Sequence, residues 1–369
     1  MATLIQSNNE LFNPSSSVIN YEKFILPIRL GVDPMKHLLV ANFHGDPEFE
    51  MLEPQLFDDD INGKGLRILR YRKDKKVDIY YQSGIHIDPN TFTVGNGLGD
   101  LEEAIIDPAR FEITSKGVDI DIAFTDKQGR KVELKIRENT SESEGMPFLA
   151  PVGNDIKDPK QFFLVYMLGF DFVKKEGTEI HAQIGERKLV PSSFPIHRNN
   201  NKVYFIRYSS RPIIGTLNPP MNKPIIADLS FPGSKKVDNM HLVTDESGKV
   251  VLMHTNDSNS TIEITFDPGF PNLLNISDGE TEKGKWTFRI EGANITGGTY
   301  KILRKQSIID IELDVTQHWK PKELPLSFKL FTELVNSFCK WPSTYRWTGH
   351  VDIAKDFSMT GAWERKVKK

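Results

Sequence analysis

The sequence predicts an all-β, mainly antiparallel fold, built as two β-barrel or β-sandwich domains with one α-helix late in the chain, about 326–340. Three observations carry that expectation. Apolar residues recur at every second position in many short segments, turn-forming residues separate those segments, and 23 Phe, 9 Tyr and 5 Trp supply bulky side chains that favour strands.

Length and composition set the frame. A chain of 369 residues with 38% hydrophobic content exceeds the size at which one core usually keeps growing, so two domains are expected. With 26% charged residues and a formal net charge of -3, no global field favours nucleic acid, and no nucleic-acid partner is expected. No segment reaches the roughly 18 to 20 consecutive apolar residues of a membrane helix, so no membrane span is expected. The single cysteine, Cys339, excludes an internal disulfide and any zinc site built on several thiolates. Residues 1–20 are rich in Ser and Asn and lack a basic start and apolar run, and are read as a mobile tail on a cytoplasmic protein.

Taken in order, the first alternating segment is 77–88, where Val77, Ile79, Tyr81, Ile85 and Ile87 share one face and Asp78, Tyr80, Gln82, His86 and Asp88 the other. Gly84 marks a bend, and the glycines from Gly95 to Gly99 a loop. The clearest element is the hairpin 118–137. Ile120, Ile122, Phe124, Val132, Leu134 and Ile136 all fall on even positions around the turn Asp126-Lys127-Gln128-Gly129. Pairing Phe124 with Val132 sets Asp121 opposite Lys135 and Asp119 opposite Arg137, which complements charge on the solvent face.

A long stretch, 139–159, is read as a loop that packs back through Phe148, Leu149 and Val152. Three prolines in residues 218–224 disfavour helix and central strand alike, so that segment is the expected linker between a first domain, 21–217, and a second, 225–369. In the second half Ile262, Ile264 and Phe266 alternate, as do Trp286, Phe288 and Ile290, and Ile309, Ile311, Leu313 and Val315. The helix follows Pro325. Leu326, Leu330, Leu334 and Phe338 stand at helical spacing as its packing face, and Trp341-Pro342 ends it. Two final strands carry Tyr345, Trp347, Val351 and Ile353, then Met359 and Trp363.

Candidate chemistry is sparse. Asp58, Asp60, Asn62 and Gly63 open like a calcium loop, but Leu69 stands where the bidentate Glu belongs, so an Asn-Gly turn is expected. His44, Asp46 and Glu48 have one-sided spacing, but Pro47 among them argues for a turn. No metal and no cofactor are expected. No nucleophile elbow, phosphate loop, zinc-helix or kinase signature occurs.

Two places remain. Trp319, Trp341, Trp347 and Trp363, with Tyr345, cluster in the last 51 residues, as aromatic walls of a pocket for an apolar ligand would. Tyr80, Gln82 and His86 could line the same kind of pocket, and His86, Asp88 and Tyr80 are the candidates for acid–base work.

Tandem β domains with an aromatic pocket resemble the arrangement of tandem lipocalin-like proteins. The first-strand Gly-x-Trp of that family is missing at both domain starts, and Gly284-Lys285-Trp286 leaves too little chain behind it, so no residue roles are carried over. The expected function is binding of an apolar or partly apolar small molecule. The alternatives are a proton-transfer enzyme (isomerase, cyclase or hydratase) acting on a lipophilic substrate, and a carbohydrate-binding or protein-interaction module.

Overall fold

The computed structural model describes residues 20–89, 96–140, 145–154, 156–257 and 260–366. Among them the chain forms 27 strands and two short α-helices, and every ladder is antiparallel except that between Val77–Tyr81 and Leu98–Glu103. The all-β, mainly antiparallel class is therefore observed.

The hairpin adopts the register that its charge pattern predicts. Phe124 pairs with Val132, Asp121 with Lys135 and Asp119 with Arg137. Lys135 Nζ lies 3.1 Å from Asp121 Oδ2, while Asp119 takes its ion pair from Arg110 on the next strand, at 2.8 Å. Gly129 closes the turn at φ +77°, a region open to glycine, and the Asp126 carboxylate accepts from the Gln128 and Arg130 amides at 3.0 and 2.8 Å.

Strands between residues 30 and 217 form two facing sheets. The larger, of eleven strands, runs from Met146–Leu149 through Phe162–Lys174, Asn201–Leu217, His37–His44, Phe49–Asp59, Gly63–Arg72 and Val77–Tyr81 to Leu98–Glu103. The smaller, of five, holds the hairpin strands Gly117–Thr125 and Lys131–Glu138. Alternation decides what lies between them. Leu52, Ile68 and Tyr80 of the larger sheet meet Ile120, Phe124 and Leu134 of the smaller in one apolar layer.

Beyond residue 232, nine strands pair in chain order as a single meander, from Gly233–Val237 to Ser358–Arg365. Residues 219–224 carry no strand, as three prolines require. The apolar core nevertheless runs on past them. One cluster takes Phe162, Leu164 and Ile214 from before the proline segment and Ile264, Trp286 and Leu313 from after it. The strand Asn20–Leu26 also pairs with Ile225–Phe231, tying the start of the described chain to the segment just beyond the prolines.

Three expectations need correction. The helix is Leu326–Leu334, interrupted at Val335 and resumed at Asn336–Cys339. Its leucine stripe faces outward: Leu326, Leu330 and Leu334 are 83%, 56% and 73% exposed, whereas Phe328 and Thr332 are buried. Phe328 packs against the stacked pair Phe172 and Phe194, with ring centroids at 5.7 and 6.3 Å, and this aromatic anchor sets the rotation of the helix. The glycine-rich loop is already strand from Leu98 onward.

The strand beginning at Val77 ends at Tyr81, and Gln82–Gly84 turn. Gly63 approaches there so closely that a Cβ on it would lie 1.9 Å from the Gly84 carbonyl oxygen. That bend destroys the parity that was expected to carry through to Asp88.

Where the two facing sheets meet, Arg70 lies at 0% exposure. Its guanidinium donates to Asp78 at 2.9 and 3.1 Å, to Asp126 at 2.8 Å and to the Tyr80 hydroxyl at 3.0 Å, and lies over the Phe49 ring at 4.1 Å. Arg130 then links Asp126 to Glu48, and Arg187 links Glu48 to Asp46. The carboxylates at 46 and 48 thus serve arginines.

Removing one partner of such a buried network strands the others, so Arg70→Leu is expected to cost about 3–5 kcal/mol in urea unfolding at pH 7. An acid titration checks the same network. Burial alone would raise the Asp126 carboxyl, but hydrogen bonds and charge from Arg70 and Arg130 outweigh it and hold it below its ordinary value. The unfolded chain therefore takes up that proton first as pH falls. The stability advantage of the wild type over Asp126→Asn should be constant from about pH 5 to 8 and shrink below about pH 4.

Candidate functional site

The strand Phe162–Lys174 carries Phe162, Leu164, Tyr166 and Leu168 on alternate positions. Its partner Met146–Leu149 is the edge of the large sheet. Opposite lie the turn after Ile290, where Glu291 and Gly292 both take positive φ (49° and 72°), and the segment leaving the strand Ile308–Gln317. Together they enclose a cleft of about 720 Å³ between residues that precede and follow the proline segment.

Its floor is apolar and aromatic, with Tyr166, Ile295 and Trp319 at 4%, 1% and 3% exposure. The Trp319 amide donates to the Cys339 carbonyl at 3.2 Å, and its ring stands edge-on to Phe148 with centroids 5.6 Å apart. Gln317, His318, Lys320 and Glu323 form the polar rim.

Tyr166 supplies the phenol of the cleft. Among the described residues its hydroxyl has no hydrogen-bond partner, and solvent reaches it through the cleft. A hydroxyl that solvent reaches and that has no protein partner can donate to whatever enters the cleft. Burial, with the negative charge of Glu323, pushes its pKa up to about 12, which keeps the phenol a neutral donor. Burial and the positive charges of Lys320 and Lys340 lower His318, leaving it mostly uncharged at pH 7. The cleft therefore offers an uncharged phenol and imidazole beside aromatic walls.

The structure distributes the sequence candidates differently from the expectation. Trp319 lines the cleft. Trp341, Tyr345, Trp347 and Trp363 are 1%, 1%, 2% and 4% exposed and pack as core. Trp363 Nε1 donates to the Leu217 and Asn218 carbonyls at 3.1 Å each, Tyr345 donates to the Gly153 carbonyl at 2.6 Å, and Trp341 Nε1 is buried with no partner among the described residues.

Tyr80, Gln82, His86 and Asp88 are not brought together. Tyr80 is fully buried between the facing sheets, and Gln82 uses its side-chain oxygen to accept from the Leu66 amide at 2.7 Å. His86 and Asp88 are exposed beyond the bend at Gly84. Acid–base work in a shielded interior required His86 and Asp88 to point inward, and they do not. The residue that sequence reasoning missed is Tyr166, whose one signal was a lone hydroxyl in the apolar run Phe162–Phe170.

Among the described residues no helix is long and apolar enough to cross a membrane, and no group of three or more His, Cys, Asp or Glu is arranged to hold a metal. Comparison with protein-family models, curated proteins and solved structures finds no match. The functional reading therefore rests on geometry.

The core role of the tryptophan cluster can be checked at Gly153, where a Cβ would lie 2.1 Å from Trp341 Cζ3. Gly153→Ala should lose about 1–3 kcal/mol through overpacking and alter the near-ultraviolet circular dichroism. Unchanged stability would mean that Trp341 is loosely held, as in a pocket.

Proposed function

We propose that this protein binds a small, partly apolar organic molecule in the cleft lined by Tyr166 and Trp319. The observation that carries this reading is the Tyr166 hydroxyl, on a residue 4% exposed, without a hydrogen-bond partner among the described residues and set in an aromatic floor. Ligand pockets typically combine an apolar lining with a few convergent polar groups, and a volume of about 720 Å³ suits a drug-sized molecule. The uncharged state of Tyr166 and His318 favours a neutral polar group, such as a hydroxyl or carbonyl, on the ligand.

A second reading has its own observation. Leu326, Leu330 and Leu334 expose one face of a helix, which supports a protein-interaction role for that element. Recognition through exposed tryptophans has no such support, since all four C-terminal tryptophans are buried.

Native mass spectrometry and thermal-shift measurements against medium-chain alcohols, terpenoids and sterols test the cleft. At least one probe should raise the melting temperature of the wild type. Tyr166→Phe should weaken that probe about five-fold, the equivalent of one hydrogen bond worth about 1 kcal/mol, and Trp319→Ala should weaken it further. A panel without a response, or equal responses from the wild type and both variants, would remove the reading.

A further inference from the structure

The large sheet has a second polar cluster on the face turned away from Arg70, used neither by the ion network nor by the cleft. Ladder registers place it. Arg207 stands opposite Val40, Gln55 opposite both Leu38 and Arg67, and Tyr71 opposite Met51. Directly paired residues share a face, so Glu53, Gln55, Arg67, Tyr71 and Arg207 rise on one side of the sheet.

Short bonds join them. Tyr71 donates to Glu53 Oε2 at 2.9 Å, Gln55 Nε2 to Glu53 Oε1 at 2.7 Å, and Arg67 Nε to Gln55 Oε1 at 2.6 Å. Glu53 thus has both oxygens met by neutral donors.

What remains unused is guanidinium. Among the described residues, neither terminal nitrogen of Arg67 has a hydrogen-bond partner, and neither Nε nor Nη1 of Arg207 has one. No described carboxylate comes within ion-pair distance, 4.0 Å, of either side chain. Each guanidinium lies on a ring instead, Arg67 over Phe57 at 4.5 Å and Arg207 over Phe205 at 4.2 Å. Stacking holds each planar fork in place and leaves both terminal nitrogens of Arg67 and Nη1 of Arg207 free to donate, since Arg207 Nη2 donates to Asn42 Oδ1 and its Nε is sealed inside.

The surroundings are apolar on both flanks. Leu69, Val77 and Ile79 are buried on one side, and Phe172 on the other. Burial pulls Arg207 down to about 10 and pushes the Glu53 carboxyl and the Tyr71 hydroxyl upward. The group is therefore recessed although its members keep some accessible surface.

Stacked guanidinium forks with unpaired donors between apolar flanks match a planar oxyanion carried on an apolar body. We propose that the face formed by Arg67 and Arg207 is a binding site for an organic carboxylate. Glu53 between the two arginines, with Asp33 near Arg67, limits the positive charge and disfavours a dianion such as phosphate. The site is separate from the junction cleft and does not depend on it.

Isothermal titration of the full chain with hexanoate, benzoate and inorganic phosphate tests the proposal. At least one carboxylate should bind, and phosphate should bind at least ten-fold more weakly. Arg207→Gln and Arg67→Gln should each weaken that carboxylate ten-fold or more, Arg207→Lys should fall between, and Tyr166→Phe should leave it unchanged. Circular dichroism establishes which variants fold, and any one folded arginine variant suffices for the comparison. Absence of carboxylate binding to the wild type, undiminished binding in a folded Gln variant, or phosphate binding as tight as the carboxylates would overturn it.

Discussion

A single buried cation, Arg70, couples the two facing sheets. Asp78, one of its partners, lies on the adjacent strand of the large sheet, and Asp126, the other, closes the hairpin of the small one. A guanidinium at 0% exposure cannot keep its hydration, so its donors must be met by protein, and here they are met from both sheets at once. The same contacts fix Tyr80, whose hydroxyl Arg70 reaches at 3.0 Å, and Phe49, over which the guanidinium lies. Register and sheet separation are thereby specified by charge as well as by apolar packing.

Parity then assigns every other residue of the strand Gly63–Arg72. Once Arg70 points to the inter-sheet layer, Leu66 and Ile68 enter the same apolar cluster, while Arg67, Leu69 and Tyr71 are forced to the opposite face. A slip of one residue would put Arg67 and Tyr71 between the sheets and take Arg70 away from Asp126. The polar cluster around Glu53 is the reverse side of the structural core, held in position by the residues that build that core.

Much of this was legible where side chains alternate without interruption. The hairpin from Val118 to Arg137 is local, its turn carries the required glycine, and cross-strand charges agree with the apolar pattern, so each level of evidence selected one register. Legibility failed where a distant contact overrode the local pattern. The leucine stripe of the helix has ideal spacing, yet Phe328 finds Phe172 and Phe194 across more than a hundred residues of chain and turns the stripe to solvent. At Gln82–Gly84 the close approach of Gly63, again non-local, ended a strand that sequence parity extended to Asp88. In the sequence Arg67, Arg70 and Arg72 could recognise a carboxylate but read more simply as a solvated charge run, because stacking on Phe57 and the lack of a carboxylate partner among the described residues are properties of the folded sheet.

The junction cleft follows from the same conflict between local and distant packing. The proline segment ends strand pairing, but the apolar cluster continues through it, so the two groups of strands are pressed together without sharing a ladder there. Surfaces joined by side chains alone seldom match along their whole length, and mismatch concentrates where a sheet edge meets a turn. Here that place is the edge strand Met146–Leu149, facing the positive-φ turn at Glu291 and Gly292. Trp341 and Trp363, farther along the contact, fill their part of it with rings packed on Phe162, and Trp363 Nε1 donates across it to Leu217. Tyr166 lies where that filling stops, and among the described residues its hydroxyl has no protein partner, whereas those of Tyr80, Tyr300 and Tyr345 have one.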